Sequence, residues 1–107
     1  MKRGSIITVA LQGDIGKARP GLVVQSDLFS NHPTVSFLQI TSTIAAAPLI
    51  RVDINPTSEN GLNKHSQIAV DKIFTVRIEK VGSVIGELDS DTLLAVNRLM
   101  VVFLGFA

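Results

Sequence analysis

The sequence contains no cysteine, no tryptophan and no tyrosine. Without cysteine, the chain has neither a disulfide framework nor a thiolate metal site, which fits a reducing compartment, and we expect a cytoplasmic protein. Without tryptophan and tyrosine, it lacks the exposed aromatic groove with which SH3 domains bind peptides. Any function must therefore rest on the polar and charged side chains that remain.

Histidines and catalytic motifs are also scarce. His32 and His65 are the only histidines and lie in separate predicted loops without metal-ligand spacing, so we expect no metal and no cofactor. No GxxxxGK[ST], GxGxxG or GxSxG motif is present, which excludes the common nucleotide-binding and hydrolase classes. The longest apolar run, near residues 99–104, is too short to cross a bilayer, and no signal-peptide cleavage pattern follows the N-terminus.

The 107 residues are 46% hydrophobic and carry a net charge of +1, which predicts one domain over residues 1–107 and no strongly basic nucleic-acid coat. Short apolar or alternating segments separated by turn residues predict about six strands. They lie at residues 5–11, 20–25, 35–40, 48–56, 67–76 (one or two strands) and 80–88. In the fourth segment, the alternation places Ile54 inward and Arg51 and Asp53 outward.

The C-terminal segment differs in kind. Asp89 and its neighbours suit a helix N-terminus, and Gly105 stands where a helix should end. Apolar residues recur between them at helical spacing: Leu93, Val96, Met100 and Phe103. The other side of this helix carries Leu94, Val101 and Val102, so we expect a second copy of the chain to cover it. The pattern predicts a mainly β fold, a small barrel or sandwich, with a C-terminal α-helix.

Two polar features stand at predicted strand ends. In "GKARPGLVVQSD", Arg19 directly precedes Pro20, which fixes the start of an apolar strand and so holds the arginine at a rigid edge. In "TVSFLQITST", a central strand apolar on both faces ends in three hydroxyls, Thr41, Ser42 and Thr43. A guanidinium can donate hydrogen bonds to two phosphate oxygens at once, and a neighbouring hydroxyl adds a further donor. The alternative is a surface cation beside hydroxyls that only satisfy the strand end.

The order of five segments resembles the MazF/PemK family of toxins from bacterial toxin–antitoxin pairs. These segments are "MKRGSIITVAL", "GKARPGLVVQSD", "TVSFLQITST", "SQIAVDKIFTV" and "LDSDTLLAVNRLMVVFLG". The resemblance implies an SH3-like small β-barrel of the CcdB/PemK/MazF type with a C-terminal helix, and a homodimer. It also implies a sequence-specific, ribosome-independent, metal-independent endoribonuclease that cuts single-stranded RNA, such as mRNA, and thereby inhibits translation and growth.

On this resemblance, the catalytic residues would be Arg19 and Thr41. A ribose 2′-hydroxyl would attack the adjacent phosphate and leave 2′,3′-cyclic phosphate and 5′-hydroxyl ends. The general base stays open between Asp14 and Asp71, and for Asp71 pairing with Lys64 or Lys72 is an equal alternative.

RNA binding would draw on Lys17 and Ser42, which flank the two catalytic candidates. Phe29, in a predicted loop, is a candidate for stacking on a base. We expect modest affinity and strong salt dependence.

The resemblance also implies a partner, a cognate antitoxin encoded by a neighbouring gene, with operator DNA bound only through the antitoxin complex. Two other interpretations remain. A CcdB-like protein of the same fold would trap DNA gyrase without ribonuclease activity, although Arg19 and Thr41 would then have no purpose. A non-catalytic SH3-like binding module, or a degenerate toxin, would have no such neighbour gene.

Overall fold

A computed structural model describes residues 1–10 and 17–107. It contains six strands and one helix. β1 spans Ser5–Val9, β2 Arg19–Val23, β3 Thr34–Thr41, β4 Arg51–Ile54, β5 Ser66–Arg77, β6 Val81–Glu87 and α1 Ser90–Phe103, with short 3-10 turns at Asp27–Phe29 and Ile78–Lys80. The predicted mainly β fold with a C-terminal helix is confirmed, and the segment 67–76 belongs to one strand. The described part of the chain has no helix with the length and hydropathy of a membrane span.

All six strands form one antiparallel sheet in the order β4-β5-β3-β2-β1-β6. Its two edges meet through the loop after β4, because Glu87 N on β6 donates to Glu59 O at 2.8 Å. Gly61 permits this approach: it has a φ of +71°, and a Cβ there would lie 2.9 Å from the carbonyl carbon of Ile85. The contact closes the sheet into a small barrel.

β5 bends where it passes β3. Gln39 pairs with Ala69, but the preceding Leu38 pairs with Ile73. Between these two pairs β5 therefore has three extra residues, whereas β3 has none. The two halves of β5 consequently serve two hydrophobic clusters. The larger cluster, under α1, contains Ile6, Leu22, Val24, Leu38, Ile40, Ile54, Ile68, Val70, Leu88 and Val96. The smaller one contains Ile7, Val9, Val23, Val35 and Phe37, with Phe74 stacked on Phe37.

The ends of α1 follow the sequence signals. The Asp89 carboxylate accepts from Thr92 N at 2.9 Å, which caps the N-terminus. At the other end, Gly105 has a φ of +81° and its N–H bonds to Val102 O, while Phe106 N bonds to Val101 O. This pair of bonds is the Schellman motif, which satisfies the last carbonyls of a helix.

The face assigned to one side chain of α1 was wrong. Phe103 was expected on the core side of α1 but is 46% exposed, whereas Leu93, Val96, Leu99 and Met100 face the larger cluster. Arg51 lies on the same face of β4 as Asp53, as the alternation predicts, and both line one pocket with Gln67. Arg51 is partly buried there, and its Nη1 donates at 3.0 Å to both Thr43 O and Gln67 Oε1. Asp53 is exposed as expected.

Candidate functional site

A groove of about 280 Å³ lies where β2 begins and β3 ends. One side consists of these strand ends and the other of the loop that leads into β5. The described residues that line it are Thr8, Ala18, Arg19, Pro20, Gln39, Ile40, Thr41, Ser42, Thr43, Gly61, Leu62, Asn63, Lys64, Ser66 and Ile85. The lining is rich in hydroxyls and amides.

The sheet register brings Arg19 and Thr41 together. β2 and β3 pair antiparallel with Gly21 opposite Gln39, and continuing this register by two residues puts Arg19 opposite Thr41. Directly opposed residues of antiparallel strands have Cα atoms roughly 5 Å apart. Both side chains line the groove. Two residues separated by 22 positions in the sequence therefore lie side by side at one end of the two central strands.

The Thr41 hydroxyl is held by its own loop. Its Oγ1 accepts a hydrogen bond from Thr43 N at 3.1 Å, which restricts the rotamer of the side chain. Because the oxygen acts as acceptor in this bond, the hydroxyl proton is left to be donated elsewhere. Ser42, between the two threonines, is exposed and lines the same groove. This segment offers hydroxyl donors to an anion beside Arg19.

The opposite side of the groove is built on Asn60, which is buried. Its Oδ1 accepts from Thr57 N and Leu62 N, both at 3.0 Å, and its Nδ2 donates to Asn55 O at 2.8 Å. This amide holds the turn that presents Lys64 to the groove. Sequence reasoning treated Lys64 only as a partner for Asp71, because nothing local shows that the loop returns to the ends of β2 and β3.

Electrostatically, the groove suits an anion. Arg19 and Lys64 are the charged residues in its described lining, and no carboxylate is present among those described lining residues. Within residues 1–10 and 17–107, no three His, Cys, Asp or Glu side chains come together in a way that could hold a metal ion. The arrangement places two cations and several hydroxyls around a space large enough for a phosphate and its sugar.

The remaining candidate residues lie away from the groove lining or outside the described residues. Asp14 falls outside the described residues. Asp71 stands at the bend of β5 and does not line the groove; a hydrogen bond from Lys72 Nζ at 3.0 Å lowers the pKa of its carboxyl group. Phe29 is 55% exposed in the turn after β2, away from the groove lining. Lys17 is exposed two residues before Arg19.

The model of the "PemK-like, MazF-like toxin of type II toxin-antitoxin system" family matches residues 2–104. The chain is 36% identical over 108 residues to the probable endoribonuclease MazF of Mycolicibacterium smegmatis, with 100% of this chain and 99% of that protein covered.

Solved structures agree on the fold. A mycobacterial endoribonuclease in complex with its cognate antitoxin superposes with a TM-score of 0.84 at 23% identity, covering 100% of this chain and 97% of that one. Toxin MazF-mt6 of Mycobacterium tuberculosis gives a TM-score of 0.80 at 24% identity, with 94% and 96% covered.

These similarities favour the endoribonuclease interpretation over a CcdB-like gyrase poison. With a family match over residues 2–104 and a relative that is 36% identical along the full length of the chain, the chain belongs to the PemK-like and MazF-like toxins of type II toxin–antitoxin systems.

Proposed function

We propose that this toxin cuts single-stranded RNA in the groove between the start of β2 and the end of β3, without a metal ion. The observation that carries the proposal is the register that sets Arg19 opposite Thr41 in a groove with basic and hydroxyl-bearing lining. Fixed donors aimed at a phosphate that gains charge in its transition state are a major source of catalysis. Both donors stand on strand ends, which hold them in place before RNA arrives.

The reaction is an internal transfer of the phosphate. The ribose 2′-oxygen attacks the adjacent phosphorus while the bond from phosphorus to the 5′-oxygen breaks, which leaves a 2′,3′-cyclic phosphate and a 5′-hydroxyl. Arg19 binds two oxygens of the pentavalent phosphate, and the Thr41 hydroxyl donates to a non-bridging oxygen. The 2′-hydroxyl loses one proton and the 5′-oxygen gains one.

Two carboxylates, those of Asp14 and Asp71, are candidates for the base that takes the proton of the 2′-hydroxyl. Asp71 is the weaker choice, because its carboxylate is bound to Lys72 and stands outside the groove lining. Its lowered pKa also makes it a poor proton acceptor. Asp14, five residues before Arg19, remains the candidate.

RNA would lie across Arg19 and Lys64, with Ser42 and Lys17 contacting further phosphates or sugars. Phe29 stands away from this path, so its stacking role would need a strand of several nucleotides that extends beyond the groove. Binding through phosphates should weaken steeply as salt is added.

A second copy of the chain would cover the free side of α1. This side and the residues after it expose six large apolar side chains: Leu94, Val101, Val102, Phe103, Leu104 and Phe106. Patches of this kind mark interaction sites in proteins. An acidic, partly unfolded antitoxin would bind across the groove in place of RNA, and operator DNA would be bound only through that complex. On this proposal the toxin acts in the cytoplasm, where mRNA is found.

The test is cleavage of a long single-stranded RNA by the purified protein in EDTA. The wild type should cut at a few short sites and leave 5′-hydroxyl ends. Arg19→Ala should be inactive, whereas Arg77→Ala, which removes an exposed arginine at the other end of the sheet, should be fully active. Thr41→Val keeps the side-chain shape but not the hydroxyl and should be inactive, and Thr41→Ser should retain activity.

Intact RNA under varied sequence and salt, with growth still arrested by the protein, would refute the proposal. Gyrase would then be the target to examine.

A further inference from the structure

Gln67 lies on β5 directly opposite Thr41 and is only 4% exposed. A carboxamide has two N–H donors and an oxygen with two lone pairs, and here all four are used. Nε2 donates to Ala45 O and to Asp53 Oδ1, each at 3.1 Å. Oε1 accepts from Ala45 N and from Arg51 Nη1, each at 3.0 Å. A buried amide with every hydrogen bond made can occupy only this orientation.

These bonds fix the loop that follows Thr41. Gln67 exchanges two hydrogen bonds with the backbone of Ala45, as a neighbouring strand would. Arg51, which Gln67 orients, also donates to Thr43 O at 3.0 Å. Thr43 in turn donates its N–H to the Thr41 hydroxyl oxygen at 3.1 Å. A continuous series of hydrogen bonds thus connects the buried amide with the orientation of the hydroxyl.

We propose that Gln67 is a positioning residue for RNA cleavage, which holds residues 41–45 so that the Thr41 hydroxyl stays directed at the scissile phosphate. The inference rests on the proposed function of the groove. Gln67 does not line that groove, so it acts through Thr41 and Thr43 and not by contact with RNA there. Its identity matters because an apolar residue would leave the Ala45 backbone and Arg51 without these partners.

The first test compares Gln67→Leu with Gln25→Leu. Gln25 is the matched control: it also makes three hydrogen bonds that order a loop, to Phe29 O, Thr34 O and Ser36 N, but at the end of β2 remote from Arg19. Rates are measured under single turnover at a temperature where circular dichroism shows each variant folded. We expect Gln67→Leu to cleave about 100-fold more slowly, as misplacement of a catalytic group by roughly 1 Å does. Its affinity for an RNA with a 2′-deoxy scissile nucleotide should be unchanged.

Gln25→Leu should cleave at the wild-type rate once folded. A role for Gln67 in stability alone would give the same result for both variants, so equal rates in folded Gln67→Leu and wild type would overturn the inference.

If Gln67→Leu does not fold, Gln67→Glu is the variant to test instead. It keeps both acceptor contacts but, when ionised, has no proton for Ala45 O and repels Asp53. Its cleavage rate relative to that of the wild type should therefore rise as the pH is lowered and the carboxyl group regains a proton to donate. A ratio near one at every pH contradicts the inference.

Amide hydrogen exchange tests the same ordering without RNA. In Gln67→Leu, the protection of the Ala45 and Thr43 N–H groups should be lost, while in Gln25→Leu it should remain. If the wild type fails to cut RNA but this loss of protection occurs, Gln67 orders the loop and the proposed function is wrong. If the wild type cuts RNA and protection is unaffected by Gln67→Leu, the function stands and the positioning role falls.

Discussion

Gly21, in the middle of β2, lies beneath the ring of Phe37. A Cβ at this position would clash most severely with Cδ2 of that ring and would lie 3.0 Å from Cε2 and 3.2 Å from Cγ, whereas ordinary contacts begin near 3.4 Å. The ring cannot simply move away, because Phe74 stacks on it with the centroids 5.8 Å apart. Overpacking of this kind costs about 1–3 kcal/mol. The reduced entropy of the unfolded chain returns about 0.4–1 kcal/mol, so Gly21→Ala should lower the free energy of unfolding by about 1–2 kcal/mol.

Urea denaturation followed by circular dichroism gives this free energy. In a double-mutant cycle, Phe37→Leu should relieve part of the cost of Gly21→Ala, because the crowded ring is gone. Gly105→Ala is the control for the same chemical change: nothing lies within 4 Å of its Cβ position, and its φ of +81° alone should cost about 1–2 kcal/mol. That cost should not depend on Phe37. If Gly21→Ala is as stable as the wild type, or if its cost is the same in the Phe37→Leu background, the ring of Phe37 does not crowd this position.

Three further predictions concern the helix cap, the loop and the groove. Asp89→Ala should cost about 1 kcal/mol of unfolding free energy. The bond from Thr92 N lowers the pKa of Asp89, so its contribution is present above the unfolded pKa and should be lost as the pH falls through the folded pKa, which urea titrations at neutral and strongly acidic pH can follow. Asn60→Ala removes the buried amide that accepts from Thr57 N and Leu62 N and donates to Asn55 O, and it should cost about 1–3 kcal/mol in the same assay. Lys64→Ala should reduce the salt dependence of RNA binding by about 0.7 in log–log slope, measured by fluorescence anisotropy.

Each of these has a control in the chain. Asp89→Asn keeps an acceptor for the cap but cannot titrate, so it should lose less stability in acid than the wild type, in which Asp71 and Glu59 also have lowered pKa values. Asn31→Ala, at an exposed turn, should change stability little compared with Asn60→Ala. Lys80→Ala removes an exposed lysine outside the groove lining and should leave the salt slope as it is. A slope unchanged in Lys64→Ala, or a neutral Asn60→Ala, would contradict the description of the groove.

Much of the fold could be read from local patterns. Alternation and turn residues predicted the strands because β1, β2, β3 and β5 bury long stretches of apolar side chains. The cap at Asp89 and the stop at Gly105 depend on residues within one helical turn. The pairing of Arg19 with Thr41 was also within reach, because both stand at the ends of strands that adjoin in sequence. The residues that determine these features lie close together in the sequence.

Other features depend on contacts that no local pattern contains. Arg51 follows the alternation of an outward residue, yet the carboxamide of Gln67 and the carbonyl of Thr43 draw it into a partly buried position. Lys64 reaches the groove only because the Asn60 turn folds back across the sheet edge. Phe103 fits the apolar spacing of α1, but the helix extends past the core before reaching it. A single sequence does not show which distant residue will supply the partner.

The bent strand β5 also sets the order in which the groove can be completed. Synthesis proceeds from the N-terminus, so β1, β2 and β3 are available first, and the residue that orders the loop after Thr41 comes 26 positions later. At ordinary translation rates this interval lasts roughly 1–5 s. During this interval the nascent chain contains both Arg19 and Thr41 but lacks the side chain that orders the loop after Thr41. On the proposed function, full activity therefore begins only after more than half of the chain has been made.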